Sequence, residues 1–288
     1  MKSGQKKNLT HSHHIDEVDY LVIDVETTGL SADKGDRVCE IGAVKLRGGA
    51  IIETFGSLID PERPISYGAY SVNGISPEML ANAPVFSGIA DKIRQMMEGS
   101  VLVAYNAPFD YSFLANEFRL LAYPLMTNPV IDALSLARQL FPGLQTYRQD
   151  NVARVAGISF PVKHRALEDA TTTAQLFTIF TTILKAHDCM QVSDLQRRDL
   201  AQLLNNFRLN IVNGALAVRQ NLWIKYLSPL NGEITDRIVT PKECFTDQIG
   251  KNKATYLIAH CHTANSERNF RIDRILDLRI VQANFLKV

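Results

Sequence analysis

The sequence lacks any apolar run approaching the roughly 20 residues that a membrane-spanning helix needs. Its first residues, MKSGQKKNLTHSHH, also lack the apolar core of a secretory signal. These two absences predict a cytoplasmic protein with no membrane partner. Cysteine is scarce: Cys39, Cys189, Cys244 and Cys261 are scattered without CxxC pairing. That argues against a thiolate metal site or a disulfide framework and leaves reduced thiols as the simple reading. No tandem repeat is present, and no helix-turn-helix segment precedes the C-terminal strands. Net charge is nearly absent, at +1 over 288 residues, but the balance is uneven. Residues 1–188 carry 17 Lys+Arg against 21 Asp+Glu, a net of −4, whereas residues 189–288 carry 14 against 9, a net of +5. An acidic half joined to a basic half suits a carboxylate-rich site beside a polyanion-binding module; drift of surface charge gives the same split. What is plentiful is apolar residues, at 46%, enough for a core in each of two domains.

Residues 1–15 are poor in apolar side chains and read as a disordered tail, with His11, His13 and His14 as tail residues rather than a metal site. YLVIDVE (20–26) is a short β-branched run that reads as a buried strand, followed by strand candidates VCEIGAVKL (38–46) and IIETFGSLI (51–59). Gly48 and Gly49 mark a hairpin turn between those two. This is an antiparallel meander with its first strand central. Helical periodicity covers 84–97, a buried strand VLVA covers 101–104, and PFDYSFLANEFRLL (108–121) is a helix with Pro108 in its first turn. Short helices are expected over 132–140 and 149–156, and a long one over 165–184. The pattern predicts an α/β domain over 16–187, a mixed sheet covered by helices. A polar helical linker over 188–214 then leads to a small strand-rich domain at 215–288.

Asp24 and Glu26 are two apart on a strand, so both leave one face while Ile23 and Val25 point into the core. Adjacent carboxylates repel unless a cation lies between them, and hard divalent ions such as Mg²⁺ or Mn²⁺ favour oxygen ligands. A salt-bridged surface pair is the plain alternative. Thr27-Thr28-Gly29-Leu30 follows directly, a polar turn suited to meeting a nucleotide. IDVETTGL (23–30) resembles the first motif of the DnaQ-like DEDD exonucleases. YNAPFD (105–110), which puts Asp110 in the first turn of a helix, resembles the second. HRALEDA (164–170) resembles the third, with His164 and Asp169 in the H-x4-D spacing of the DEDDh subgroup.

The resemblance covers residues 18–186 and implies an RNase H-like fold with 3′→5′ exonuclease activity. The implied substrate is single-stranded DNA or RNA with a free 3′ end, DNA favoured, and the product a nucleoside monophosphate. Asp24, Glu26, Asp110 and Asp169 would share two divalent cations, Mg²⁺ or Mn²⁺. His164 would take the proton from the nucleophilic water, since an imidazole titrates near neutrality; otherwise it is a loop histidine bonded to Asp169. The resemblance further implies that Thr27 meets the terminal 3′-hydroxyl and Leu30 wedges against the last bases. Phe109 and Phe113 would stack on a base at ~1–3 kcal/mol each, although aromatic residues at i and i+4 of a helix equally suit a core. Two positions depart from the family pattern: Tyr105 and Asn73 stand where histidine is common, which bears on substrate fit and leaves every metal ligand in place.

YLIAHC (256–261) followed by ERNFRIDRI (267–275) resembles the WYL domain, an Sm/SH3-like β-barrel, over residues 215–288, with Thr255 at the position of the name-giving tryptophan. Arg268, Arg271 and Arg274, three apart, share no face of a straight strand and need a bend to converge. With Tyr226 and His260 they would form a cationic pocket with an aromatic wall, for a nucleic-acid or nucleotide-derived ligand. The plain reading is a solvated basic rim, with Phe270 and Ile272 in the core. A rival of the same chemistry is an exoribonuclease. A rival of another class is a non-catalytic nucleic-acid sensor, against which the complete ligand set argues. A homo-oligomer is compatible with the sequence.

Overall fold

Asp19–Thr27 alternates β-branched and other apolar residues with few breaks, and it forms strand β1 in the computed structural model, which describes residues 12–124, 126–159, 164–229, 232–249 and 252–281. β2 (Val38–Arg47) and β3 (Ala50–Leu58) continue the antiparallel meander. Gly48 and Gly49 turn that hairpin at φ 56° and 81°, the two successive positive angles a tight hairpin demands. Helices α1 (Tyr67–Asn73), α2 (Pro77–Leu80) and α3 (Ala90–Met97) follow, then β4 (Ser100–Ala104) and α4 (Ala107–Leu120). Next come β5 (Val130–Asp132), α5 (Ala133–Leu140), α6 (Gln149–Val155) and α7 (Ala166–Lys185).

The five strands form one mixed sheet, ordered β3-β2-β1-β4-β5, antiparallel on one side of β1 and parallel on the other. β1 is central, as expected. All five residues of β4 are buried, as a parallel strand covered on both faces requires. Ile23 and Val25 pack with Ile93 and Met96 of α3 and with Phe113 and Phe118 of α4. Apolar side chains on one face of β1 thus free the other face for Asp24 and Glu26.

The expected disordered tail needs correction. Residues 1–11, His11 among them, lie outside the described residues. Beyond them, Val192 N–H donates to His13 O (3.0 Å), His14 bridges Gln191, and Ile15 is buried. Ile15 gives an otherwise polar segment one apolar anchor, and its carbonyl accepts from the Tyr20 hydroxyl.

Past α7 come α8 (Leu200–Ala217), β6 (Asn221–Leu227), β7 (Ile234–Ile249), β8 (Asn252–Cys261), β9 (Ser266–Arg271) and β10 (Ile275–Val281). The strands are antiparallel, ordered β10-β6-β7-β8-β9, so β9 and β10 are the edges of the ladder and its closure into a barrel is not shown. α8 is more than the linker the sequence suggested. Its Val212 and Ala215 are buried with Leu222, Ile224 and Leu257 of the sheet, and Leu209 and Leu216 pack alongside.

By internal packing the described residues divide into two units. One holds the chain up to Leu136, Ile158–Ile179 and Gln191–Gln196; the other holds Ala137–Gly157, Phe180–Met190 and the chain from Arg197. All four cysteines are free. Among the described residues, no helix is long and apolar enough to cross a membrane.

Candidate active site

Three elements of the first unit bring the acidic side chains together. Asp24 and Glu26 leave the free face of β1. Asp110 lies in the first turn of α4, almost fully buried, and its Oδ1 accepts from Val25 N–H (3.0 Å), which pins it over β1. The start of α4 is itself fixed by Asp132, at the end of β5. Its Oδ1 accepts from Asn106 N–H (3.0 Å) and Ala107 N–H (3.2 Å). Asp169 lies in the first turn of α7, where its Oδ2 accepts from His164 N–H (3.1 Å). His164 has φ 59°, a left-handed conformation uncommon for a residue with a side chain. One ring nitrogen of His164 and one carboxylate oxygen each of Glu26 and Asp169 lie within 4.8 Å of one another.

Burial and mutual repulsion make this cluster costly to ionise. Burial, then the Asp110, Asp169, Glu26 and Glu40 charges, hold the Asp24 carboxyl well above the usual range. Burial, then Asp169 and Glu40, push Glu26 up to about 7. Burial also raises Asp110, against the Val25 and Asp110 backbone N–H groups that lower it. Crowded oxygen donors that resist sharing negative charge are what a hard divalent cation relieves, so the residues present fit such an ion.

The turn after β1 is tightly braced. Thr27 is buried and its hydroxyl donates to Gly29 O (2.6 Å), while Thr28 N–H donates to Arg37 O and the Thr28 hydroxyl accepts from Arg37 N–H. Leu30 stands 88% exposed beside it. α1 is tied to the same turn at both ends: Ser66 N–H donates to Thr28 O, and Asn73 Nδ2 donates to Thr27 O (3.3 Å). Phe113 is a correction. At 1% exposure it belongs to the core and has no face for a base, because α4 turns it toward α3 and β1. Phe109 is half-buried, its ring 4.9 Å from that of Phe113.

Sequence reasoning missed several residues that hold the site. Glu117 is buried and takes both Arg37 Nε and Nη2 (2.8 Å each) as well as Val38 N–H (3.0 Å), fastening α4 to the start of β2. Glu40 sits opposite Glu26 in the β1–β2 register and bonds the first turn of α7. The available signal was Gly42, a glycine in the interior of a strand, which marks a close backbone approach.

Of the residues expected to line the C-terminal pocket, Tyr226 lies near Arg271 and Arg274, while His260 does not join them. Leu222, Val239 and Cys261 are cross-strand neighbours on the buried face, and Tyr226 shares that face. His260, paired with Thr240, lies on the opposite face. The Tyr226 hydroxyl accepts from Arg271 N–H, and the Arg271 guanidinium is taken up by Asp273 (3.1 and 2.6 Å). Arg274 is buried and donates to Gly143 O (3.3 Å), whereas Arg268 is exposed on edge strand β9.

Residues 21–177 match the family model RNase_T, described as Exonuclease, and residues 208–280 match the WYL domain model. The chain belongs to the exonuclease family. Its three motifs and its fold agree with the DnaQ-like resemblance, and divalent metals are used across this family. It is 39% identical to the DNA polymerase III subunit epsilon of Treponema pallidum over 170 residues, 58% of this chain and 77% of that protein. It is 35% identical to the PolC-type DNA polymerase III of Clostridium perfringens over 194 residues, 67% of this chain and 13% of that far longer relative. Among solved structures, E. coli Exonuclease I in complex with a dT13 oligonucleotide is 16% identical with a TM-score of 0.54, covering 94% of this chain and 67% of that one. The nuclease domain of 3′hExo, a DEDDh family member bound to rAMP, is 17% identical with a TM-score of 0.52, covering 62% and 97%. At these identities the structural likeness speaks for the fold of this exonuclease alone.

Proposed function

We propose that this protein is a metal-dependent 3′→5′ exonuclease that releases nucleoside monophosphates from single-stranded ends, DNA before RNA. The observation that carries the reading is the meeting of Glu26, His164 and Asp169 within 4.8 Å, beside Asp24 and the pinned Asp110. Two bound divalent cations, Mg²⁺ or Mn²⁺, would lower the pKa of the attacking water and offset charge on the leaving 3′-oxygen. Asp24, Glu26, Asp110 and Asp169 would hold them. His164 takes the proton from the attacking water, and its backbone bond to Asp169 keeps the ring beside the carboxylates. Bases would rest on the apolar rim formed by Leu30 and by Tyr67, Tyr70 and Val72 of α1, all exposed although large and apolar.

The preference for DNA is supported by relatives whose names are those of DNA polymerase III chains. For the C-terminal unit we propose an Sm/SH3-like module that takes a nucleic-acid or nucleotide ligand, on its excess of basic residues and the exposed Arg268. The natural setting would be the cytoplasm.

The test uses the full chain on matched DNA and RNA single strands labelled at either end, with Mg²⁺, Mn²⁺ or EDTA. A 3′ label should be lost first and only with the cation. Asp24→Ala should abolish the reaction, and His164→Ala should slow it roughly 10²-fold or more. Cation-independent loss, or variants that match the wild type, would sink the reading. Faster loss from RNA would make the protein an exoribonuclease.

A further inference from the structure

The third motif must place both His164 and Asp169, yet it begins at a strained residue and hangs from a single helix start. The support comes from β2. Glu40 is cross-strand from Glu26 and Gly42 is cross-strand from Asp24, so all four lie on one face of the sheet. Gly42 is in turn paired with Gly56 on β3. Together these glycines make a seat: a Cβ on Gly42 would come within 2.1 Å of Ala166 O, and one on Gly56 within 3.1 Å of the Leu167 side chain. The first turn of α7 therefore lies directly on the sheet backbone. Glu40, 6% exposed, closes the arrangement. Its Oε2 accepts from Ala166 N–H (3.2 Å) and its Oε1 from Arg165 Nη2 (2.7 Å).

We infer that Glu40 is a positioning residue for the cation site, fixing His164 and Asp169 through the first turn of α7, while Arg165 holds the Glu40 carboxylate away from the ligand oxygens. The bonds form a continuous path. Glu40 holds Arg165 and Ala166; Arg165 O accepts from Asp169 N–H (2.9 Å), and Asp169 holds His164 N–H. With both of its oxygens engaged, Glu40 stands beside Glu26 without being a ligand. A residue that orients ligands in this way typically changes metal affinity or turnover by about 10–100-fold when removed.

This inference rests on the proposed cation site, and the experiment separates the two. Full-length wild type, Glu40→Ala and Glu40→Gln are compared for thermal unfolding, Mn²⁺ affinity by calorimetry without substrate, and kcat and KM on a single-stranded DNA oligomer. Glu40→Gln keeps the shape and an acceptor for Ala166 N–H, so it carries the test should the alanine variant fail to fold. Mn²⁺ affinity and kcat should each fall about 10-fold or more in Glu40→Ala and by a smaller factor in Glu40→Gln, with KM within about 2-fold of wild type. Both variants binding Mn²⁺ like wild type, or a raised KM with unchanged kcat, would overturn it. Should wild type bind Mn²⁺ without shortening any strand, the exonuclease reading fails. Weakened Mn²⁺ binding by the variants would then still support the positioning role.

Discussion

Asp24, Glu26 and Asp110 carry a cost that is felt in folding before any substrate arrives. Each is raised above its ordinary range by burial first and then by neighbouring carboxylates of the cluster. For Glu26 the folded value, about 7, exceeds the ordinary 4.5. Stability from this group is then fully present below the ordinary value and is lost as pH rises through about 7. The metal-stripped protein should therefore lose stability between pH 5 and 8 relative to a Glu26→Gln variant, whose site holds one negative charge fewer. The gap should reach ~1–2 kcal/mol at pH 8, or a few °C in Tm. Added Mn²⁺ should reverse the order, since it binds the folded wild-type site and stabilises it by mass action. Unfolding curves in EDTA and in Mn²⁺ across that range check both halves. A gap independent of pH would contradict the repulsion argument.

At the scale of elements, the end of α7 and the middle of α8 meet through a buried pair of a different kind. His187 Nδ1 lies 2.8 Å from Ile183 O, and its Nε2 accepts from Arg208 Nε (3.1 Å). The accepting nitrogen must be bare, so the proton sits on Nδ1. Burial first, then the Arg208 charge, push His187 down to about 4 from an ordinary 6.5. A depressed folded value means stability present above the ordinary pKa and lost as pH falls through the folded one. Urea unfolding should show the second unit losing on the order of 3 kcal/mol between pH 7 and 4. His187→Gln, which keeps an acceptor but cannot titrate, should flatten that slope.

Neither partner of this pair was legible in the sequence, and the reason is general. Periodicity within one segment showed that Asp24 and Glu26 share a face and that Ile23 and Val25 oppose them. It could not show which segment crosses that face. Glu40 and Gly42 needed the β1–β2 register and the helix laid over them. Tyr226 and His260 looked convergent until the register through β7 put them on opposite faces. β5 is three residues long, too short for any period to appear. α8 looked like a connector because the segment 194–209 that leads into it is rich in polar residues, while the residues it buries against the sheet come later. The five motif residues were legible because the segments that carry them, 23–30, 105–110 and 164–170, resemble the three motifs of the DnaQ-like DEDDh exonucleases.

For the whole molecule, the boundary drawn by motifs and the boundary drawn by packing differ. The exonuclease match runs unbroken from 21 to 177, but packing assigns Ala137–Gly157 and Phe180–Met190 to the unit that holds the C-terminal sheet. Within that unit Phe141 packs on Phe180 (5.8 Å), Gln139 Nε2 donates to Arg197 O, and Gly143 O accepts from Arg274. A chain ending near residue 190 keeps every motif residue and removes Arg197, Arg208, Arg274 and the sheet. Segments 137–157 and 180–190 would lose those partners and expose apolar surface now covered. The truncated chain should melt at least ~5 °C below the full protein, and hydrogen exchange should quicken first in 137–157 while β1 and β4 stay protected. Two domains that simply abut near 188 would give the opposite outcome, with the melting of the nuclease part and the protection of 137–157 unchanged by the cut. The same cut separates the two pH responses. The fall in stability with rising pH belongs to Glu26 and should survive truncation, whereas the loss toward pH 4 depends on Arg208 holding His187 buried and should disappear with it.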